Sequence, residues 1–221
     1  MQKRETFSLE QLASIYPIIL MDTCTLCSHS NGIRPKIIKS TYLEELKIVG
    51  IEIDSADFFK HYINNGGSFY LTQNILEEYS VGANFDFKNI IKRPNVQRER
   101  ARIDYCRKRR ELSRKKRDLI ALIKDKRMIL DCKDKEEHLY NYFYTKYRYL
   151  KEKKEYHLSD ADFDLLISGA TLSRIRDKTA LLSFDTGMGK AWKELSRELG
   201  IKHTIFGFFV RNGFNEYSMF F

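Results

Sequence analysis

Two apolar runs in this sequence end on a bare carboxylate. Residues 17–21 (PIILM) lead into Asp22, and residues 179–184 (TALLSF) lead into Asp185. Short continuous apolar runs bounded by turn chemistry read as strands covered on both faces. Such strands belong to parallel sheets, whose connections are helices. An acid at the carboxyl end of a parallel strand lies where α/β sheets bind their ligands. These two stretches therefore narrow the chain to an α/β fold with a mainly parallel central sheet and acids along one edge.

The segments between them fit that plan. Residues 41–48 (TYLEELKI) and 55–64 (SADFFKHYIN) read as two short helices, with Ser55 as N-cap of the second and Asn65-Gly66-Gly67 as its stop. Residues 68–72 (SFYLT) read as a strand, and 73–80 (QNILEEYS) as a helix. Residues 158–175 (LSDADFDLLISGATLSRI) form the clearest helix, with Ser159 as N-cap and Asp162 three residues on as a variant capping box. Residues 190–199 predict a helix stopped by Gly200, and 203–210 a last strand. The aromatic tail after it is apolar enough to close the sheet, or to bury a contact in a homo-oligomer.

Charge divides the chain. From Lys92 to Glu155, 23 Lys and Arg stand against 11 Asp and Glu, a net of +12, although the whole chain carries +9. The segment holds no Pro or Gly between residues 96 and 130 and reads as one helix, ~50 Å long if unbroken. A second helix is expected over 136–155, with Leu139, Phe143, Tyr147 and Leu150 on one face. Together they predict a helical hairpin inserted at 95–155, between the parts 1–94 and 156–221 of an α/β domain. Its most basic stretch is 98–117: Arg98, Arg100, Arg102, Arg107, Lys108, Arg109, Arg110, Arg114, Lys115, Lys116 and Arg117. Basic residues on every face of a helix suit a polyanionic backbone, so RNA is the expected partner. Tyrosines 140, 142, 144, 147 and 149 either pack the hairpin seam or stack on unpaired bases.

Four acids converge on the sheet edge in this reading: Asp22, Glu78 on the helix after the second strand, Asp162 and Asp185. Each has a plainer role. Asp162 alone reads as a cap, Asp185 as a turn former, and Glu78 with Glu77 as surface charge. Together they would repel, and a hard divalent cation, Mg²⁺ or Mn²⁺, removes that penalty. Asp164 is a further candidate ligand, although two residues of helix turn it about 200° from Asp162. Cys24-Thr25-Leu26-Cys27 is a lone CxxC, close to His29. It suggests half a zinc site or incidental thiols. No GxxxxGK[ST] is present, which excludes a P-loop. No apolar stretch reaches membrane-span length and the first residues are charged, so a cytoplasmic protein with reduced thiols is expected.

The order of these pieces resembles the PIN-domain nucleases. The likeness rests on IILMDTCTL, FYLTQNILEEY, LSDADFDLLISGATL and ALLSFDTGM, and covers roughly 15–90 and 157–210. It implies a three-layer α/β/α sandwich and metal-dependent endoribonuclease activity. By position, Asp22, Glu78, Asp162 and Asp185 carry over as ligands, Asp164 as a further acid and Thr23 as the polar residue after the first Asp. The inserted arm departs from compact toxin-type members, so an antitoxin partner is not indicated. It is loosely similar to minimal protein-only RNase P, which implies a structured RNA such as a tRNA or rRNA precursor. The alternatives are an RNA-binding protein without catalysis and a flap-endonuclease-like DNA nuclease.

Overall fold

The structure, a computed structural model, describes residues 6–28, 42–81, 96–130, 132, 136–175, 178–202, 205–209 and 216–220. Strand β1 (Thr6–Ser8) runs into helix α1 (Leu9–Ile15), whose capping box is made by Ser8 and Gln11. Strand β2 (Ile18–Met21) leads into α2 (Thr23–Ser28). Then come α3 (Tyr42–Asn64), α4 (Gln73–Val81) and α5 (Val96–Asp125). Helices α6 (Glu137–Lys146), α7 (Tyr149–Glu152) and α8 (Asp160–Ile175) precede strand β3 (Thr179–Ser183). Helix α9 (Thr186–Leu199) is followed by β4 (Ile205–Phe209) and β5 (Glu216–Phe220).

The expected α/β mixture is present, with helices in the majority. One sheet runs in the order β1-β5-β4-β3-β2. Strands β2, β3 and β4 are parallel, with Ile18 beside Thr179 and Ala180 beside Ile205. The tail strand β5 is antiparallel to both β4 and β1, as an apolar tail that closes the sheet should be. Single parallel bridges extend the β2 side, from Leu20 to Tyr70 and from Leu71 to Ile129. Residues 68–72 therefore contribute one bridged pair of residues rather than a full strand. Every residue of β2 and β3 is buried, the reason their sequences run apolar without alternation. Helix α8 crosses close to β3: a side chain at Gly169 would come within 3 Å of the Leu181 side-chain methyls, which would have to move.

Three expectations about the middle of the chain are corrected. Residues 42–64 are one helix, and Ser55 is a fully buried interior residue, not a cap. The apolar residues Val49, Ile53, Ala56, Phe59 and Ile63 continue on one side across the supposed break, and that stripe keeps the helix whole. The helix expected over 96–130 ends at Asp125. Arg127 takes a left-handed turn (φ 53°), and the chain then extends so that Leu130 donates to Leu71 and Leu71 to Met128. The expected hairpin partner is also different. Helix α5 packs along α3, while α6 packs on α8. Tyr140, Phe143, Tyr147 and Leu150 join the same core as β2 and β3. A smaller separate cluster, Val49, Ile53, Tyr105 and Leu112, holds α3 and α5 together.

Opposite charges of α3 and α5 face each other. Lys115 pairs with Asp57, Lys60 with Asp118 (3.4 Å), and Lys116 with Glu52 (2.8 Å). The last pair is sequestered, at 4% and 10% side-chain exposure, so neither charge is hydrated if its partner goes. Removing one partner of a buried pair costs about 3 kcal/mol or more. Glu52→Ala should therefore lower stability by about 3 kcal/mol in urea denaturation. The double variant Glu52→Leu/Lys116→Met should recover most of that loss.

Candidate active site

The site is built at the carboxyl ends of two adjacent parallel strands. β2 ends at Met21, and the Asp22 N–H continues the ladder onto Leu182 (3.1 Å). Asp22 is then drawn inward, at 3% exposure. Its Oδ2 accepts from the Ser183 hydroxyl (2.6 Å) and from the Cys24 thiol. The same Ser183 oxygen accepts the Asp185 N–H (2.9 Å), so one hydroxyl joins the first acid to the last. Asp185 caps α9, its Oδ1 taking the N–H groups of Gly187 (2.6 Å) and Met188 (3.3 Å). Gly187 is required at that turn because a side chain would lie 2.0 Å from the Tyr156 carbonyl.

The other two acids come from helices. Ser159 and Asp162 make the expected reciprocal cap: the Ser159 N–H donates to Asp162 Oδ2 (2.9 Å) and the Asp162 N–H to Ser159 Oγ (3.0 Å). Glu78 on α4 is exposed, and its Oε2 accepts from the Thr23 hydroxyl (2.7 Å). Thus Thr23 binds α4 to the turn after β2. Asp162 lies within electrostatic range of all three other acids, Asp22, Asp185 and Glu78. Burial raises its pKa above the ordinary value of 3.8, and the Asp185 and Glu78 charges add to that. Burial likewise pushes Asp22 up to about 6 against the pull of its Cys24 and Ser183 donors, and the Asp162 charge adds. Burial, then the Asp22 charge, pushes the Cys24 thiol well up, so Cys24 is held as a proton donor.

Among the described residues, no Lys or Arg forms an ion pair with any of these four acids. Each carboxylate is anchored chiefly through one oxygen. Among the described residues, no hydrogen bond reaches Oε1 of Glu78, Oδ1 of Asp162 or Oδ2 of Asp185, and Oδ1 of Asp22 has only a long contact with the Cys24 N–H (3.4 Å). As the side chains stand, no three His, Cys, Asp or Glu among the described residues close on one point tightly enough to ligate an ion. The donor chemistry nevertheless fits a hard divalent cation: uncompensated carboxylate oxygens, braced from behind and with one oxygen each to spare.

Other candidates are placed elsewhere. Asp164 is buried on the far side of α8 and accepts from the Tyr140 hydroxyl, so it is not a fifth acid of the crevice. Cys27 is buried beside Lys116 Nζ (3.7 Å), away from Cys24's partner Asp22, and His29 lies outside the described residues. Along α5, Lys116 is buried, Lys115 is bonded to Asp57, and Arg109 lies over the Tyr105 ring and donates to its hydroxyl (3.0 Å). Lys108 is half-buried, with its amine close to Gly50. Arg107, Arg110, Arg114 and Arg117 are exposed, on the face opposite Tyr105, Leu112 and Lys116. The side chains of Arg98, Arg100 and Arg102 lie outside the described residues. The tyrosines divide similarly: Tyr140 and Tyr147 are core residues, while Tyr142 is exposed.

Sequence reasoning undervalued Ser183 and Cys24. The signal for Ser183 was its place two residues before Asp185 in SFD, on the last residue of a buried strand. No family model, curated protein or solved structure matches this chain.

The raised Asp22 makes a stability prediction. The unfolded chain releases this proton near pH 4 and the folded chain near pH 6. Between those values the folded state holds one proton more, so stability from this group falls as pH rises, by about 3 kcal/mol in total. In chelator, Asp22→Asn should thus be more stable than wild type at pH 7, by up to about 3 kcal/mol, and the difference should shrink at pH 4.5. Denaturant titrations at the two pH values measure it.

Proposed function

We propose that this chain is a PIN-like, metal-dependent endoribonuclease of three-layer α/β/α plan, acting on a structured RNA such as a tRNA or rRNA precursor. The observation that supports it best is that Asp22, Glu78 and Asp185 all lie within electrostatic range of Asp162, with no Lys or Arg among the described residues paired to any of the four. Carboxylates brought out of water at a sheet edge without a counter-charge destabilise the fold, and a bound cation offsets that cost.

Asp22, Glu78, Asp162 and Asp185 would hold Mg²⁺ or Mn²⁺, which supplies an acidified water and charge stabilisation at a phosphodiester. The chain's own groups do the rest. Ser183 and the α9 N-terminus fix Asp22 and Asp185 relative to each other. Thr23 sets the rotamer of Glu78. The Cys24 thiol keeps its proton and orients Asp22 rather than attacking anything. Arg107, Arg110, Arg114 and Arg117 recur at intervals of three and four residues, a stripe about 15 Å long. Guanidiniums at that spacing suit successive phosphates of one strand, giving affinity without sequence preference.

Wild-type protein should cut RNA with Mg²⁺ or Mn²⁺ and stop on addition of chelator. Asp22→Asn or Asp185→Asn should lose more than about a hundredfold in rate while still binding RNA. RNA binding with no metal-dependent cleavage, or cleavage indifferent to both variants, would overturn the reading. Parallel DNA substrates separate a DNA nuclease.

The arm gives its own measurement. Replacing Arg107, Arg110, Arg114 and Arg117 together by Ala should lower the slope of log affinity against log salt by about 3. Replacing Lys116 should instead register as lost stability.

A further inference from the structure

Four ionisable side chains meet beneath the surface where α2, α3, α4 and α5 come together. Cys27 of α2, Glu52 of α3, Tyr79 of α4 and Lys116 of α5 are 4%, 8%, 1% and 3% exposed. Lys116 stands at their centre. Its Nζ pairs with Glu52 Oε2 (2.8 Å), donates towards Cys27 Sγ (3.7 Å) and lies over the Tyr79 ring (4.8 Å from its centre). The Tyr79 hydroxyl is buried without a hydrogen-bond partner among the described residues, and it lies within electrostatic range of Cys27 and Glu52. The proposed hydrolysis uses none of these four groups.

We propose that Cys27 and Lys116 form an oxidative modification site, at which a peroxide joins the two side chains through a sulfur–nitrogen bond. The proposal is independent of the ribonuclease reading. In the first step the Cys27 sulfur attacks one oxygen of hydrogen peroxide. The O–O bond breaks, Cys27 becomes a sulfenic acid, and the other oxygen leaves as water. A cation beside a cysteine favours the thiolate, the form that attacks, and Lys116 is that cation here. In the second step the Lys116 amine attacks the same sulfur and expels its oxygen as a second water, as sulfenic acids condense with nitrogen. The ammonium must first lose a proton, and the Glu52 carboxylate in contact with it accepts that proton. Sulfur is oxidised by one electron pair, and the peroxide is reduced to water.

The setting favours this product over deeper oxidation of the sulfur. The amine stands against the sulfur on a flexible four-carbon stem that closes the remaining gap. Charge also balances. The buried ion pair gives way to a neutral S–N link and a neutral Glu52, so no charge is left buried alone. The unpartnered Tyr79 O–H offers a donor to the peroxide or to the sulfenic oxygen on the way. The new bond ties α5 to α2 across 89 positions of chain.

Peptide mapping of the folded protein after hydrogen peroxide, digested without reductant, tests the link. Wild type should give a peptide pair joined at Cys27 and Lys116, about 2 Da below the sum of its parts, and a thiol reductant should separate it. The link should persist in Cys24→Ser, which cannot form a disulfide within the CxxC. It should vanish in Cys27→Ala and in Glu52→Leu/Lys116→Met, the double variant expected to keep most of its stability. Oxidised wild type should also unfold at a higher urea concentration than reduced wild type, because the bond closes a long loop. A Cys24–Cys27 disulfide or a Cys27 sulfinic acid in place of the joined pair overturns the proposal. So does a link that forms equally well in protein unfolded before oxidation, or a Cys27 that peroxide leaves untouched.

Discussion

The Ser183 hydroxyl is the joint of this molecule. It donates to Asp22 and accepts from the Asp185 N–H, so the ends of two parallel strands are fixed to each other by one oxygen. Everything at the sheet edge is arranged outward from it. Asp22 is pulled inside, Asp185 is turned to cap α9, and Asp162 is left facing both and Glu78. Without Ser183 a buried carboxylate would lose one of its two side-chain donors while remaining within range of the Asp162 charge. The arrangement is costly for a folded chain, and the fully buried strands beneath it, each Leu or Ile stabilising by roughly 1.5–3 kcal/mol, are what hold it in place.

The parts of the fold legible in the sequence were those dictated by local pattern. PIILMD and TALLSFD were legible as buried strands because the runs are short, apolar throughout and bounded by turn chemistry, and they pair in parallel register. LSDADF gave a capped helix because Ser159 and Asp162 need only each other. Gly200 ended α9 in the left-handed turn that glycine allows (φ 64°). The candidate acids were legible through the same strand ends and helix starts. What failed was long-range pairing. The helix expected to break before Ser55 continues because its apolar stripe finds α5, a partner more than forty residues away. Asp164 was grouped with Asp162 by sequence, but helical geometry sends it to Tyr140.

Charge was legible as an amount and not as an allocation. The sequence shows eleven bases between 98 and 117, and periodicity puts them on every face. Folding against an acidic helix sorts them. Lys115 and Lys116 are held by Asp57 and Glu52, and Arg109 by Tyr105; Arg107, Arg110, Arg114 and Arg117 are exposed, Arg107 beside Asp104 of its own helix (3.2 Å). That sorting concentrates the positive surface into one stripe, a better match to a single strand of phosphates than an evenly basic rod.

Lys116 has a further role in how the two charged parts communicate. Its amine meets Glu52 of α3, approaches Cys27 of α2 (3.7 Å) and lies over the Tyr79 ring of α4 (4.8 Å). Helix α2 begins directly after Asp22, and Tyr79 directly follows Glu78. One buried cation thus fastens α5 to both elements that carry the first two acids. Glu52 holds that cation below the surface. Among the described residues no Lys or Arg pairs with the four acids, and the arginine stripe is built on the helix that carries Lys116. The two signs are thus kept apart: Glu52 takes one cation of α5 inside, while Arg107, Arg110, Arg114 and Arg117 of the same helix stand at the surface.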